Sequence, residues 1–439
     1  MPNRPQPPHL CLVCPTMWDE AELPAIVAAD HARVRVFGTD ASEHPHAFDA
    51  DAFIEAAVAI IRAEGLEGVF ATDDYPGSIV AAAIAHELGF PGPSPKAVLT
   101  CQHKYYSRLA QEIAVPEATP RFALVDPDDI ESLAAVEFPV FVKPVKSFFS
   151  VHAQVVRNRT ELEALVAATR HHLTQFVKPL NQLLARYTDF KLDGGYLIAE
   201  SVLRGKQVTL EGCAFKGDFA VIGVVDSIMF PDTISFQRFE YPSSLDERIQ
   251  WRMADIAIRF MRSIGWDDGL FNVEMMYDED KDTIHIVEAN PRMCPQFADL
   301  MEKVNGINSY EIALDIAAGR EPVIRRPNAR YRAAASFVSR VFQDKWVRRV
   351  PARDDLIRFG ERYPDARMKV LCREGHRLSE ELQDGKSYRY ALLHLGGDSR
   401  DDVLRRYAEA QHMLMFDLVP VTSAGVAAGW RPASRAFRP

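Results

Sequence analysis

Between residues 9 and 89, short apolar runs alternate with helical patterns: "HLCLVC", "DEAELPAIVAAD", "RVRVFGT", "DADAFIEAAVAIIRAEG", "LEGVFAT" and "GSIVAAAIAHELG". Strands separated by whole helices are joined by crossovers rather than hairpins, which makes the sheet parallel and puts helices on its faces. The fold class expected from this stretch is a doubly wound α/β domain over residues 1–100, closed by the Pro/Gly cluster "FPGPSPKA". Farther on the connections shorten. After the helical "HKYYSRLAQEIA" and the apolar "FPVFVKPV", the runs "GGYLIAESVLRG", "VTLEGCAFKGDFAVIGVVD", "GLFNVEMMYDED" and "TIHIVEANP" are divided by Gly/Asp turns, the pattern of antiparallel strands. With helices near 161–173 and 246–263, they form an α+β second domain over 101–320. Past it, "DARMKVLC" and "SYRYALLHL" are strands and "SRDDVLRRYAEAQHML" is an amphipathic helix, giving a small C-terminal α+β subdomain over 321–439.

Composition removes several classes of function. A chain of 439 residues that is 47% hydrophobic can bury more than one core. Its net charge of -10 argues against nucleic acid as a partner, and the basic segment "RRPNARYR" reads as a solvated face. No window approaches the roughly 18 apolar residues of a membrane span, and the proline-rich start lacks the core of a secretory signal, so a cytoplasmic protein is expected. Cys11 and Cys14 lie inside an apolar run with no second pair of ligands nearby, which suits buried strand thiols better than zinc.

The chemistry concentrates in "IHIVEANPR". Strand side chains alternate faces, so Glu288 and Asn290 share one, and Pro291 ends the ladder beside them. The preceding strand "NVEMM" carries Glu274. An odd-length turn puts Glu274 on the face of Glu288, and a five-residue loop over 279–283 sets the two directly opposite. Like charges about 5 Å apart across a ladder repel unless something neutralises them. Two carboxylates and an amide, with no histidine or cysteine, suit a hard divalent cation such as Mg²⁺ that takes its other ligands from water and phosphate. "TDDYPGS" at 72–78 follows a strand and opens a helix, a place where a loop either meets ligand or merely caps the helix.

An acid, a strand hairpin and then E-x-N-P-R resembles the metal signature of the ATP-grasp enzymes. "CQHKYYSR", "FPVFVKP" and "LIAESVLRG" fall at that family's corresponding places in order. The resemblance implies two α+β subdomains gripping ATP after an N-terminal α/β domain. By position, Lys104 and Lys143 would contact phosphates, and Ser147 and Ser150 would lie in the phosphate-covering loop, here without glycine. Glu200, Ser201, Val202 and Leu203 would form the hinge along the adenine, and Glu211 would approach the ribose or a metal. Gln207 stands where many members place an acid. Glu274, Glu288 and Asn290 would hold Mg²⁺ or Mn²⁺, and Arg292 would act with Lys143 as a catalytic cation on the γ-phosphate and the acid.

The implied activity is ADP-forming ligation of a carboxylic acid to an amine through an acyl-phosphate, with amino acids or related small molecules as substrates. A biotin carboxylase-like ATP-dependent carboxylase is the alternative, and a non-catalytic ATP-binding protein is the alternative of another class. After Arg292, however, the chain reads "MCPQFADL", without the acid and histidine expected near bicarbonate. Partners are expected to be small molecules, without nucleic acid or membrane. The oligomeric state is left open, with a homodimer as one form.

Overall fold

The computed structural model describes residues 6–38, 47–129, 137–147, 152–327, 329–381, 383 and 387–421. The chain begins with β1 (His9–Val13), α1 (Asp19–Ala28), β2 (Arg33–Phe37), α2 (Ala50–Glu64), β3 (Gly68–Phe70) and α3 (Gly77–Leu88). The three strands form a parallel sheet in the order β2-β1-β3, as the alternation of strand and helix signals predicts. Asp49 caps α2 by accepting from the Ala52 amide, and Gly65 ends it at φ 65°, a left-handed turn that glycine adopts without steric penalty. Gly68 permits a close approach, because a Cβ there would lie 2.1 Å from the Ala317 carbonyl oxygen of a later helix.

The proline cluster opens a helix. Ser94 caps α4 (Pro95–Gln102), with Pro95 in its first turn, and His103 then caps α5 (Lys104–Ala114). Four strands follow: β4 (Phe122–Val125), β5 (Val140–Pro144), β6 (Gln154–Val156) and, after α6 (Arg159–Phe176) and α7 (Lys178–Tyr187), β7 (Leu197–Ser201). They pair antiparallel as β4-β7-β5-β6.

The rest of the chain builds one large antiparallel sheet. Its elements are β8 (Lys206–Phe215), β9 (Asp218–Met229), β10 (Phe236–Tyr241), α8 (Glu247–Ser263), β11 (Gly269–Asp278) and β12 (Thr283–Asn290). Then come α9 (Pro295–Asn305), α10 (Ser309–Ala317), β13 (Ala333–Val341), β14 (Lys345–Arg349), α11 (Arg353–Arg362), β15 (Arg367–Val370), β16 (Tyr388–Gly397), α12 (Arg400–Met413) and β17 (Asp417–Pro420). The strand order β12-β11-β8-β9-β10-β13-β16-β15 carries the sheet across residue 320, so the C-terminal extension lengthens the sheet that bears the "VEANPR" strand. β14 and β17 form a separate ribbon. No helix among the described residues is long and apolar enough to cross a membrane.

A buried polar seam joins the N-terminal unit to α9, α10 and the extension. Asp19 accepts from the hydroxyls of Thr72 and Tyr310, both at 2.7 Å. Beside it Glu22 accepts from Asn308 Nδ2 at 2.8 Å and lies 3.0 Å from Arg367 Nη1. Burial pushes the Glu22 carboxyl up to about 7 from an ordinary 4.5, against the pull of Arg367 and Asn308. A carboxyl raised in the folded state stabilises most at low pH and loses that contribution as pH climbs through the raised value. Glu22→Gln should therefore change the melting temperature little at pH 5 but raise it relative to the parent at pH 8. Equal differences at the two pH values would show that Glu22 ionises without penalty.

Candidate active site

The hairpin β11–β12 sets Glu274 directly across from Glu288 and Asn272 across from Asn290. It reaches that register by a different route from the five-residue loop expected over 279–283. Asp278 pairs with Thr283, so the loop is residues 279–282, an even number. A regular ladder from that turn would put Val287 opposite Glu274 and turn Glu288 toward the buried face of Ile284 and Ile286. A bulge between the Met275–Ile286 and Glu274–Glu288 pairs supplies the missing residue. It also frees the Val287 carbonyl, which accepts from Arg108 Nη2 at 2.8 Å and Lys143 Nζ at 3.4 Å.

Around this hairpin, cations arrive from three parts of the chain. Lys104, the first residue of α5, lies 2.9 Å from Glu288 Oε1. Lys143 on β5 lies 2.9 Å from Glu200 Oε2, and Arg108 on α5 donates to Glu200 Oε1 at 2.6 Å. Burial alone would raise the Glu200 carboxyl, but Arg108 and Lys143 draw it down to about 2. Lys146 and Arg292 flank Asp74: Lys146 Nζ is 3.0 Å from one carboxylate oxygen and Arg292 Nε is 3.3 Å from the other. In the "TDDYPGS" loop Pro76 stands just before α3 rather than inside its first turn, and the two acids part company. Asp73 accepts from the Gly77 amide at 2.9 Å at the start of α3, while Asp74 faces the cations.

The opposed acids divide their charge unequally. Burial and the neighbouring Glu288 push the Glu274 carboxyl up, whereas Lys104 and Lys143 hold Glu288 below the usual range despite its own burial. Gln207 Nε2 donates to Glu274 at 2.9 Å, and Asn290 Nδ2 donates to Asn272 at 3.1 Å and to Glu274 at 3.3 Å. Among the described residues no group of three His, Cys, Asp or Glu side chains forms a metal cage. Two carboxylates and one amide oxygen fit a divalent cation that takes its remaining ligands from phosphate and water, and a positive ion between the acids would remove their repulsion.

The other expected site residues fall as follows. β7 ends at Ser201, paired with Val140, and the half-buried Val202 and Leu203 lead into Gly205. A Cβ on Gly205 would lie 2.0 Å from the Tyr277 carbonyl oxygen, so only glycine lets this connector pass the β11–β12 hairpin so closely. The Glu200 side chain is engaged by Arg108 and Lys143. Glu211 is buried away from the connector, accepting from Asn272 Nδ2 at 2.8 Å and from the Cys294 amide at 2.7 Å. Burial raises its carboxyl to about 7. Ser147 is half-buried after β5, and Ser150, with the phenylalanines before it, lies outside the described residues. Arg108, Asp74 and Lys146 join the site although none is among the expected site residues; Asp74 lies in the "TDDYPGS" loop and Arg108 closes "CQHKYYSR". For Lys146 the available signal is a second lysine closing "KPVK", three residues beyond Lys143.

Residues 136–301 match the sequence profile of the family described as "ATP-grasp domain". Over 287 residues, 61% of this chain, the protein is 27% identical to the carbamoyl phosphate synthase large chain of Acidobacterium capsulatum, of which the alignment covers 24%. Over 346 residues, 77% of this chain, it is 21% identical to the urea amidolyase of Saccharomyces cerevisiae, covering 17% of that protein. The chain thus spans a quarter or less of these relatives. Among solved structures, an L-amino acid ligase from Bacillus licheniformis superposes with a TM-score of 0.73 at 16% identity, covering 94% of this chain and 99% of that one. A biotin carboxylase from Campylobacter jejuni gives 0.62 at 14% identity, covering 93% and 92%. The profile match over the central region and the shared fold along nearly the whole length agree with the hairpin geometry: this chain carries an ATP-grasp domain.

Proposed function

We propose that the protein is an ATP-dependent, ADP-forming carboxylate–amine ligase acting on small molecules. The observation that carries this reading is the opposed pair Glu274–Glu288, with Asn290 on the same strand face and Lys104, Lys143 and Arg292 around it. A carboxylate does not accept an amine until its oxygen becomes a leaving group, and phosphorylation by the γ-phosphate of ATP achieves that. The amine then attacks the acyl-phosphate carbon, the C–O bond to phosphate breaks, and orthophosphate leaves. Glu274, Glu288 and Asn290 would hold Mg²⁺ or Mn²⁺, which when bound neutralises phosphate charge. Lys104 and Lys143 supply buried point charges for the phosphates, and the planar Arg292 guanidinium steadies the anionic groups that meet beyond the strand end. Backbone groups of Ser201 to Leu203 would run along the adenine. On this reading the metal ligands and cations would serve transfer at the terminal phosphate, which would distinguish the reaction from adenylation.

All six cysteines are free, which suits a reducing cytoplasm. The test is a product analysis with ATP, Mg²⁺ and a matrix of acids and amines, with bicarbonate plus biotin as a separate arm. ADP and orthophosphate should appear only when an acid is present, and hydroxylamine should trap the acyl-phosphate as a hydroxamate when the amine is omitted. AMP and pyrophosphate as stoichiometric products would refute the proposal, and turnover confined to bicarbonate plus biotin would move the protein to the carboxylases.

A further inference from the structure

Three segments far apart in sequence meet at Asp74. The acid comes from the loop after β3, at the carboxyl edge of the parallel sheet; Lys146 follows β5 of the four-stranded sheet; Arg292 follows β12 of the large sheet. Lys146 is 2% exposed, and its ammonium lies 4.6 Å from the centre of the Tyr75 ring. That ring is fixed in turn, because its hydroxyl accepts from the Leu180 amide at 2.9 Å. Removing a lysine ammonium from water costs several kcal/mol, and half a share in one carboxylate offsets that poorly. A cluster serving only to join the sheets would be as stable or more so with apolar side chains in its place.

Charge balance gives the cluster a different purpose. Lys104, Lys146 and Arg292 face two acids, Asp74 and Glu288, while Arg108 and Lys143 share Glu200. With Glu274, which faces Lys143 and Arg292, five cations stand against four acids, and a buried surplus of positive charge favours an anion. The Glu200 group lies against the connector after β7, on the nucleotide side. The Asp74 group lies beyond the strand end, beside Arg292. The Asp74 oxygen nearer Arg292 is buried and makes no hydrogen bond, so it holds the guanidinium by charge without consuming its donor directions.

We propose that Lys146 is a second cation for the carboxylate of the acid substrate, held next to Arg292 by Asp74, which acts as the positioning residue for both. The proposal rests on the ligase reading. It gives the N-terminal domain a direct part in placing the acid: Asp74 fixes the distance between two cations carried by two different sheets. Lys146 then serves acid binding, apart from the nucleotide contacts proposed for Lys104 and Lys143.

The test measures binding without turnover. Parent, Lys146→Met, Lys146→Arg and Asp74→Asn proteins are saturated with Mg²⁺ and a non-hydrolysable ATP analogue, and a panel of amino acids and simple carboxylates is titrated in by calorimetry. Lys146→Met should weaken acid binding by roughly 10- to 100-fold, the effect of losing one charge-assisted contact, and leave the affinity for the analogue within about threefold. Lys146→Arg should recover most of the loss, and Asp74→Asn should weaken the acid while melting within a few degrees of the parent. Unchanged acid affinity in Lys146→Met, an equal fall in affinity for the analogue, or no acid bound by the parent would each overturn the assignment. None of these decides the ligase reading, which stands or falls on the ADP and hydroxamate analysis.

Discussion

Replacing Glu288 by glutamine should lower kcat by about 10³-fold while leaving the fold intact, the scale of losing one preorganised electrostatic contact to the transferring group. The carboxylate sits at a strand end with 29% of its side chain exposed, so the change opens no core cavity. Shape is preserved, and the introduced amide can still face Glu274. What disappears is one of the two charges that would hold the divalent ion, together with the partner of Lys104 at 2.9 Å. Mg²⁺-dependent ADP release and a thermal melt check this together. Activity within tenfold of the parent, with a normal melt, would remove Glu288 from the metal site.

The second large effect is on stability and concerns a residue not among those expected at the site. Arg108→Met should destabilise the protein by about 3–5 kcal/mol, the loss typical of removing one member of a buried charge group. Arg108 is 3% exposed and donates to Glu200, to Gln111 and to the Val287 carbonyl. Without it, Glu200 keeps only Lys143, and the bulge carbonyl keeps only the longer contact to that lysine. Replacing Arg108, Glu200 and Lys143 together by methionine should recover part of the loss, because no member of the buried group is then left without its partner. Urea unfolding of the parent, single and triple variants measures both effects. A triple variant less stable than the single would show that the group is net stabilising over apolar packing.

The elements legible in the sequence are those whose signal is local. Glu274, Glu288, Asn290 and Arg292 come from one hairpin and its exit, and Lys104 and Lys143 from a helix start and an apolar strand. The structure brings all six together around that hairpin, and the alternation in the first ninety residues identifies the parallel sheet. The illegible parts depend on distance. Arg108 reads as an ordinary helix-face residue until β7 and β12 pack against α5, and Asp74 and Lys146 are 72 positions apart. The pairing of β10 with β13 carries no local mark, so the extension looks detached in sequence although it lengthens the same sheet. The turn length misleads because a bulge shifts register by one residue without a composition of its own.

That bulge makes β12 a strand with two phases. Toward its tip, Ile284 and Ile286 are 3% and 0% exposed and hold the hairpin on the core; beyond Val287, the alternation restarts with Glu288 and Asn290 on the face of Glu274. Reach and anchorage are therefore set independently. The apolar anchor keeps its phase from the turn side, and the acids keep their aim because their phase is set on the other side of the offset. A change inside the loop 279–282, beyond the last pair Asp278–Thr283, leaves both phases where they are, whereas a residue added between Ile286 and Glu288 would turn the acids away from Glu274.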